Sequence, residues 1–202
     1  MNRTRVKFCG LKRIEDIRAA NELRPDFVGF VFWEKSSRYV SRQEALELGR
    51  ALLPDIKKVG VFVDEDPDRI AALLSEEIID IAQLHGHEDE EYISKLRSLA
   101  GGACVIKAFV IKSKEDLEKA KKSSADYLLL DSGKGTGQTF NWELIAKEDI
   151  DKPFFLAGGL GRENVADAIK RLRPYAVDVS SGIETDGLKD PEKMSKFMGE
   201  IL

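Results

Sequence analysis

Eight short apolar runs, most of them followed by a stretch with helical spacing, constrain this chain more than any other feature. The runs are RVKFC (5–9), FVGFVF (27–32), KVGVFV (58–63), IIDIAQL (78–84), CVIKAF (104–109), YLLLD (127–131), PFFLAG (153–158) and AVDVS (176–180). Between them lie RIEDIRAANEL (13–23), RQEALELGRALL (42–53), DEEYISKLRSLA (89–100) and GRENVADAIKRL (161–172), whose apolar residues recur three and four apart. Ser41 stands where a helix N-cap is expected, and Pro67 and Pro191 where first helical turns begin. Strands joined by connections long enough to carry a helix pair in parallel. These strands are also apolar on both faces, as a sheet covered by helices requires. Eight such units in 202 residues predict an α/β fold: one (β/α)8 TIM barrel domain spanning residues 1–202, its eight parallel strands alternating with helices. A doubly wound open sheet is the alternative. Against it, no G-x-G-x-x-G follows the first run and no G-x-x-x-x-G-K-[ST] occurs; GKGTG at 133–137 has neither spacing.

In such a barrel, chemistry gathers at the C-terminal ends of the strands and in the loops beyond them. Those ends carry Cys9, then Gln83 with His85, Asp131, the pair Gly158–Gly159, and Asp178 followed by Ser180, Ser181 and Gly182. Packing alone gives no reason for apolar strands to end this way on one rim. LAGGLG (156–161) and SSGIETDG (180–187) read together as an anion cradle of backbone N–H groups and hydroxyls. Gly158, Gly159, Ser180, Ser181 and Gly182 are therefore candidate phosphate contacts, with plain turn formation as the other reading. Asp131 ends an apolar strand, where a carboxyl should hold its proton more tightly, as suits a general acid; a cap is the simpler role. The segment after it, SGKGTGQTFNW, reads as a loop that closes over a substrate. Cys9 is either a small buried hydrophobe or a reactive thiol, and Lys7 on the same strand face would favour the thiolate. Cys104, at the opposite end of its run, reads as structural. Arg38 carries a planar fork that fits a carboxylate, or is a surface charge.

A formal net charge of −4 argues against nucleic acid or an anionic membrane as partner. No run is long enough for a transmembrane helix, and MNRTRVKF lacks the apolar core of a signal sequence. Two separated cysteines make no disulfide framework. The expectation is a cytoplasmic protein acting on a small phosphorylated molecule. HGH at 85–87 holds both histidines of the chain, too few ligands for a metal site, so no metal is expected.

Eight motifs in order carry a resemblance across nearly the whole chain. They are Lys7–Phe8–Cys9–Gly10, GFVF…SxRYV within 29–40, GVFV at 60–63, QLHG at 83–86, LLLDS at 128–132, GTGxTFxW at 135–142, LAGGL at 156–160 and DVSSGIE at 178–184. In these the sequence resembles the phosphoribosylanthranilate isomerases of tryptophan biosynthesis. The resemblance implies an Amadori rearrangement of N-(5′-phosphoribosyl)anthranilate to 1-(2-carboxyphenylamino)-1-deoxyribulose 5-phosphate, without metal or cofactor. It implies Cys9 as general base, Asp131 as general acid and Arg38 as the clamp on the anthranilate carboxylate. Asp178 matches a residue at the polar centre of the substrate site, and Gln83 and His85 are taken as further substrate contacts. The glycines and serines of the last two loops match the phosphate site. Three positions depart from the commonest pattern: Lys12, Ser37 and Asn141. Ser37 is expected to loosen the loop that aims Arg38.

The competing readings share the scaffold. A related barrel isomerase or synthase of tryptophan or histidine biosynthesis would use a similar phosphate cradle, but the histidine-pathway isomerase is expected to end its first strand in aspartate, not cysteine. A phosphate-ligand binder without turnover would have no need of an acid–base pair. Monomer and homodimer are both compatible with the sequence.

Overall fold

Each apolar run forms a parallel strand in the computed structural model, which describes residues 3–131 and 142–201. The strands are β1 (Arg5–Cys9), β2 (Phe27–Val31), β3 (Lys57–Phe62), β4 (Ile81–Leu84), β5 (Val105–Val110), β6 (Tyr127–Asp131), β7 (Phe154–Ala157) and β8 (Ala176–Val179). They hydrogen-bond in sequence order and close into a barrel, β8 returning to β1 with Lys7 opposite Asp178. Around it run α1 (Ile14–Leu23), α2 (Arg42–Ala51), α3 (Pro67–Ser75), α4 (Glu90–Leu99), α5 (Lys114–Lys121), α6 (Trp142–Ala146), α7 (Val165–Leu172) and α8 (Pro191–Gly199). The expected (β/α)8 architecture is the one observed. The glycine-rich segment expected to close over the substrate lies, from 132 to 141, outside the described residues, as does Asn141.

Local chemistry sets the helix starts. Ser41 accepts the amide of Glu44 while the Glu44 carboxylate accepts the amide of Ser41, a reciprocal cap that contributes about 1 kcal/mol. Asp66 and Asp190 cap α3 and α8, each followed at once by the expected proline. Most strand ends lie within one residue of the sequence reading; the start of β4 differs by three. Ile78 and Ile79 are buried, yet their amides bond back to the Leu73 carbonyl, so β4 begins only at Ile81. Burial made them look like strand; their backbone finishes a helix. Cys104 likewise sits just before β5, its carbonyl accepting from Ala82.

Two apolar layers result. One lies between strands and helices; the other fills the barrel with Phe27, Val59, Ile81, Ile106, Leu129, Phe155 and Ala176. Phe155 packs edge-on against Phe27 and Tyr127, at centroid distances of 5.2 and 5.6 Å. Along a strand the inward positions recur every second residue, and they change character on the way up: Ile81 gives way to Gln83, Leu129 to Asp131, Ala176 to Asp178. The lower barrel is therefore a sealed plug and the upper barrel a polar cup. Among the described residues, no helix is long and apolar enough to cross a membrane.

Candidate active site

The cup is a cavity of about 350 Å³ lined by Cys9, Arg38, Gln83, His85, Asp131, Gly158, Gly159, Asp178, Ser180 and Ser181, among others. Ten of the eleven residues singled out in the sequence thus face one space. Gly182 stands behind it, where a Cβ would run into the Leu160 carbonyl oxygen and lie 3.1 Å from the Gly161 Cα. Its role is to let the loop after β8 press against the loop after β7. Glycine is also required at position 29, where a Cβ would sit 2.9 Å from the Cys9 sulfur and 3.2 Å from Lys7 Nζ.

Lys7 is fully buried in mid-barrel and donates to both oxygens of Asp178, at 3.1 and 3.0 Å. Burial works against its charge, but Asp178 and the neighbouring Cys9 outweigh that and hold its pKa above the ordinary value. Burial pushes the Cys9 thiol up; Lys7 pulls it down, Asp178 pushes it up and Lys189 pulls it down, with a net rise. Lys7 does favour the thiolate, as the strand-face argument expects, but burial outweighs it. Cys104 is pushed up to about 11 by burial and by Asp126.

Arg38 reaches over Gly10, whose Cβ position would be 2.5 Å from the Arg38 Cδ. Its Nε and Nη2 donate to the two oxygens of Glu184, each at 2.7 Å. These bonds raise its pKa further. The loop carrying Arg38 is tied down, contrary to the loosening expected from Ser37: Lys12 Nζ donates to the Ser37 carbonyl at 2.8 Å, and the Ser36 hydroxyl accepts from the Arg38 amide. Two of the departures from the family pattern therefore bond to each other. Glu184 also accepts from Lys189 at 2.5 Å, and Lys189 donates to the Ser180 carbonyl and hydroxyl. The Ser180 hydroxyl in turn donates to the Cys9 carbonyl at 3.0 Å, so this side chain is engaged inside the protein. Glu184 and Lys189 were not singled out in the sequence. They face each other on a hairpin, β9 (Glu184–Thr185) and β10 (Leu188–Lys189), turned by Asp186–Gly187 with φ of +51° and +75°. An Asp-Gly pair is a hairpin signal and could have revealed them.

Across the cavity, His85 Nε2 lies 3.6 Å from Asp131 Oδ2, and the Gln83 amide lies 3.3 Å from His85 Nδ1. The buried Gln83 Oε1 has no hydrogen-bond partner among the described residues. His87 turns away to Asp64. Outside the barrel, buried Lys107 pairs with Glu88 at 2.8 Å and donates to the Gly86 carbonyl, holding the loop that carries His85. Among the described residues, no cluster of three His, Cys, Asp or Glu side chains could hold a metal ion.

Comparison with known proteins adds an independent line. Residues 6–200 match the family model described as N-(5′-phosphoribosyl)anthranilate (PRA) isomerase. An N-(5′-phosphoribosyl)anthranilate isomerase of Thermoanaerobacter sp. (strain X514) is 45% identical over 202 residues, covering 98% of this chain and 97% of that one. A phosphoribosyl anthranilate isomerase in complex with reduced 1-(o-carboxyphenylamino)-1-deoxyribulose 5-phosphate superimposes with a TM-score of 0.87, at 38% identity and 98% coverage of both chains. Monomers generated from the dimeric enzyme of Thermotoga maritima superimpose at 0.86, with 38% identity and 98% coverage of both.

Proposed function

Since the chain belongs to the N-(5′-phosphoribosyl)anthranilate isomerase family, we propose how its own residues divide the reaction. The activity is the isomerisation of N-(5′-phosphoribosyl)anthranilate, an aldose, to the ketose 1-(2-carboxyphenylamino)-1-deoxyribulose 5-phosphate in tryptophan biosynthesis. Asp131 protonates the ribose ring oxygen, and the ring opens to a Schiff base between C1′ and the aniline nitrogen. Cys9 then takes the proton from C2′. The resulting enolamine loses its hydroxyl proton, gains one at C1′ and becomes the ketose. One observation supports this division above others: a thiol and a carboxyl line one cavity, together with an arginine and the paired glycine loops.

Each remaining residue has a task in that frame. Arg38 binds the anthranilate carboxylate. The backbone of Gly158, Gly159, Ser180 and Ser181, kept close by Gly182, takes the phosphate at the ends of β7 and β8. Asp178 orients Lys7, and Gln83 and His85 contact the sugar. One (β/α)8 domain brings all of these side chains together, and the reading holds for a monomer or a homodimer.

Loss of substrate fluorescence, with phosphoribosylanthranilate generated in situ, tests the division. Wild type turns over, while Cys9→Ala and Asp131→Ala lose several orders of magnitude yet still bind the reduced product analogue. Activity within tenfold of wild type in either variant rules out that residue's role.

A further inference from the structure

Glu184 and Lys189 stand outside the strand ends where barrel chemistry gathers, yet they are joined to both working parts of the site. Glu184 takes the Nε–Nη2 edge of Arg38 and the ammonium of Lys189. Lys189 is 4% exposed, and its three acceptors are Glu184 Oε1, the Ser180 carbonyl and the Ser180 hydroxyl, at 2.5, 3.0 and 3.1 Å. An ammonium has three protons to donate, so this one is fixed in place. The hydroxyl it binds holds the carbonyl of Cys9 itself.

The charges around Cys9 come from every element packed against it: Lys7 from β1, Arg38 from the loop after β2, Asp178 from β8, Glu184 from β9 and Lys189 from β10. Asp131 and His85 face it across the cavity. The near cluster has three cations against two carboxylates, and a thiolate at Cys9 would balance it. Lys7 is the nearer of the lysines that favour the thiolate, but Asp178 takes two of its three protons and offsets its charge, so Lys189 is a second cation on the thiol.

We propose that Glu184 and Lys189 are positioning residues: Glu184 fixes Arg38 by one edge and leaves the Nη1 end for the substrate carboxylate, while Lys189, held by Glu184 and Ser180, is a second cation, beside Lys7, that stabilises the Cys9 thiolate. This rests on the reading of Cys9 as base and Arg38 as carboxylate clamp. It makes two variants differ in kind. Lys189→Met removes a cation near the thiol and leaves Arg38 held. Glu184→Gln loosens Arg38 and removes no cation.

The test measures the thiol pKa from the pH dependence of iodoacetamide alkylation, in a Cys104→Ala background, beside steady-state kinetics. Lys189→Met should raise the thiol pKa by about one unit, slowing alkylation at fixed pH about tenfold, with KM changed less than about twofold. Glu184→Gln should raise KM about tenfold or more without raising the thiol pKa. Lys189→Arg should restore the thiol pKa, and Lys189→Gln should repeat the shift if the methionine variant does not fold. An unchanged thiol pKa in folded Lys189→Met or Lys189→Gln overturns the proposal, as does a shift of both quantities in both variants. If the thiol pKa moves as stated but the pH profile of kcat does not follow it, the role of Lys189 stands and Cys9 is not the base.

Discussion

Replacing Lys7 by methionine should cost this protein much of its stability, for a reason that a second substitution can isolate. The Lys7 side chain is 0% exposed and the Asp178 side chain 7%, and the two bonds between them are 3.1 and 3.0 Å. Methionine fills the space but leaves a buried carboxylate without its counter-charge. Breaking a buried pair from one side costs about 3–5 kcal/mol, a large part of the roughly 5–15 kcal/mol that holds a domain folded. Replacing both partners by apolar residues, in Lys7→Met/Asp178→Leu, should return stability to within about 1 kcal/mol of wild type, because no orphaned charge remains. Beside and below the pair lie Phe27, the register partner of Lys7, and Ala176, two residues before Asp178 on β8, both part of the apolar plug. Urea unfolding at pH 7 reads all three proteins. The folded pKa of Lys7 lies above its ordinary value, so its stabilising contribution is fully present at neutral pH and is lost only as the solution turns strongly alkaline. If the single variant loses less than about 1 kcal/mol, or the double variant is no more stable than the single, then desolvation of an unpaired carboxylate is not what Lys7 prevents.

Gly182→Ala pushes the loops after β7 and β8 apart, because its Cβ meets the Leu160 carbonyl and the Gly161 Cα; KM for the phosphorylated substrate should rise about tenfold and stability fall by about 1–3 kcal/mol. Titrating KM with competing inorganic phosphate would show whether the anion cradle is what moved. Cys104, with its pKa pushed up to about 11, should resist iodoacetamide at pH 8 and react as the pH approaches 11, which peptide mass spectrometry follows site by site. Gln83→Met removes a buried acceptor that has no partner among the described residues, so thermal unfolding should shift by less than about 1 kcal/mol while activity falls, His85 having lost its neighbour. A large loss of stability there would mean that Gln83 is a structural residue.

The architecture was legible because burial repeats on a length scale a sequence displays. Parallel strands covered by helices are apolar on both faces, so all eight stood out, and Ser41, Pro67 and Pro191 marked helix starts by local chemistry alone. Where burial and backbone geometry part company, the reading failed: Ile78 and Ile79 are as apolar as a strand but close off α3. The rim residues were legible for a related reason, since a reactive group ending an apolar run has few structural excuses. Glu184, Lys189, Glu88 and Lys107 were not. Charged residues in polar segments look like solvated surface, and only the return of the chain shows that Lys189 and Lys107 are buried at 4% and 6% exposure. Nor could sequence show that the fork of Arg38 is already gripped on one edge.

The pairing of β1 with β8 has a consequence for when this protein becomes an enzyme. Lys7 meets Asp178, and Cys9 meets Ser180, across 171 residues each. Arg38 meets Glu184 across 146. The charged cluster around Cys9 therefore straddles the seam where the first strand greets the last, with Asp131 facing it from β6, and no contiguous half of the chain contains them all. A chain emerging from the ribosome can wind strand after strand and remain chemically silent until residues near 189 arrive. Such distant partners come late in folding, since the entropy of joining the ends must be met before their contacts form. Turnover is thus a direct report of ring closure: a population of barrels opened at this one seam would keep most of its helix content and have no activity at all.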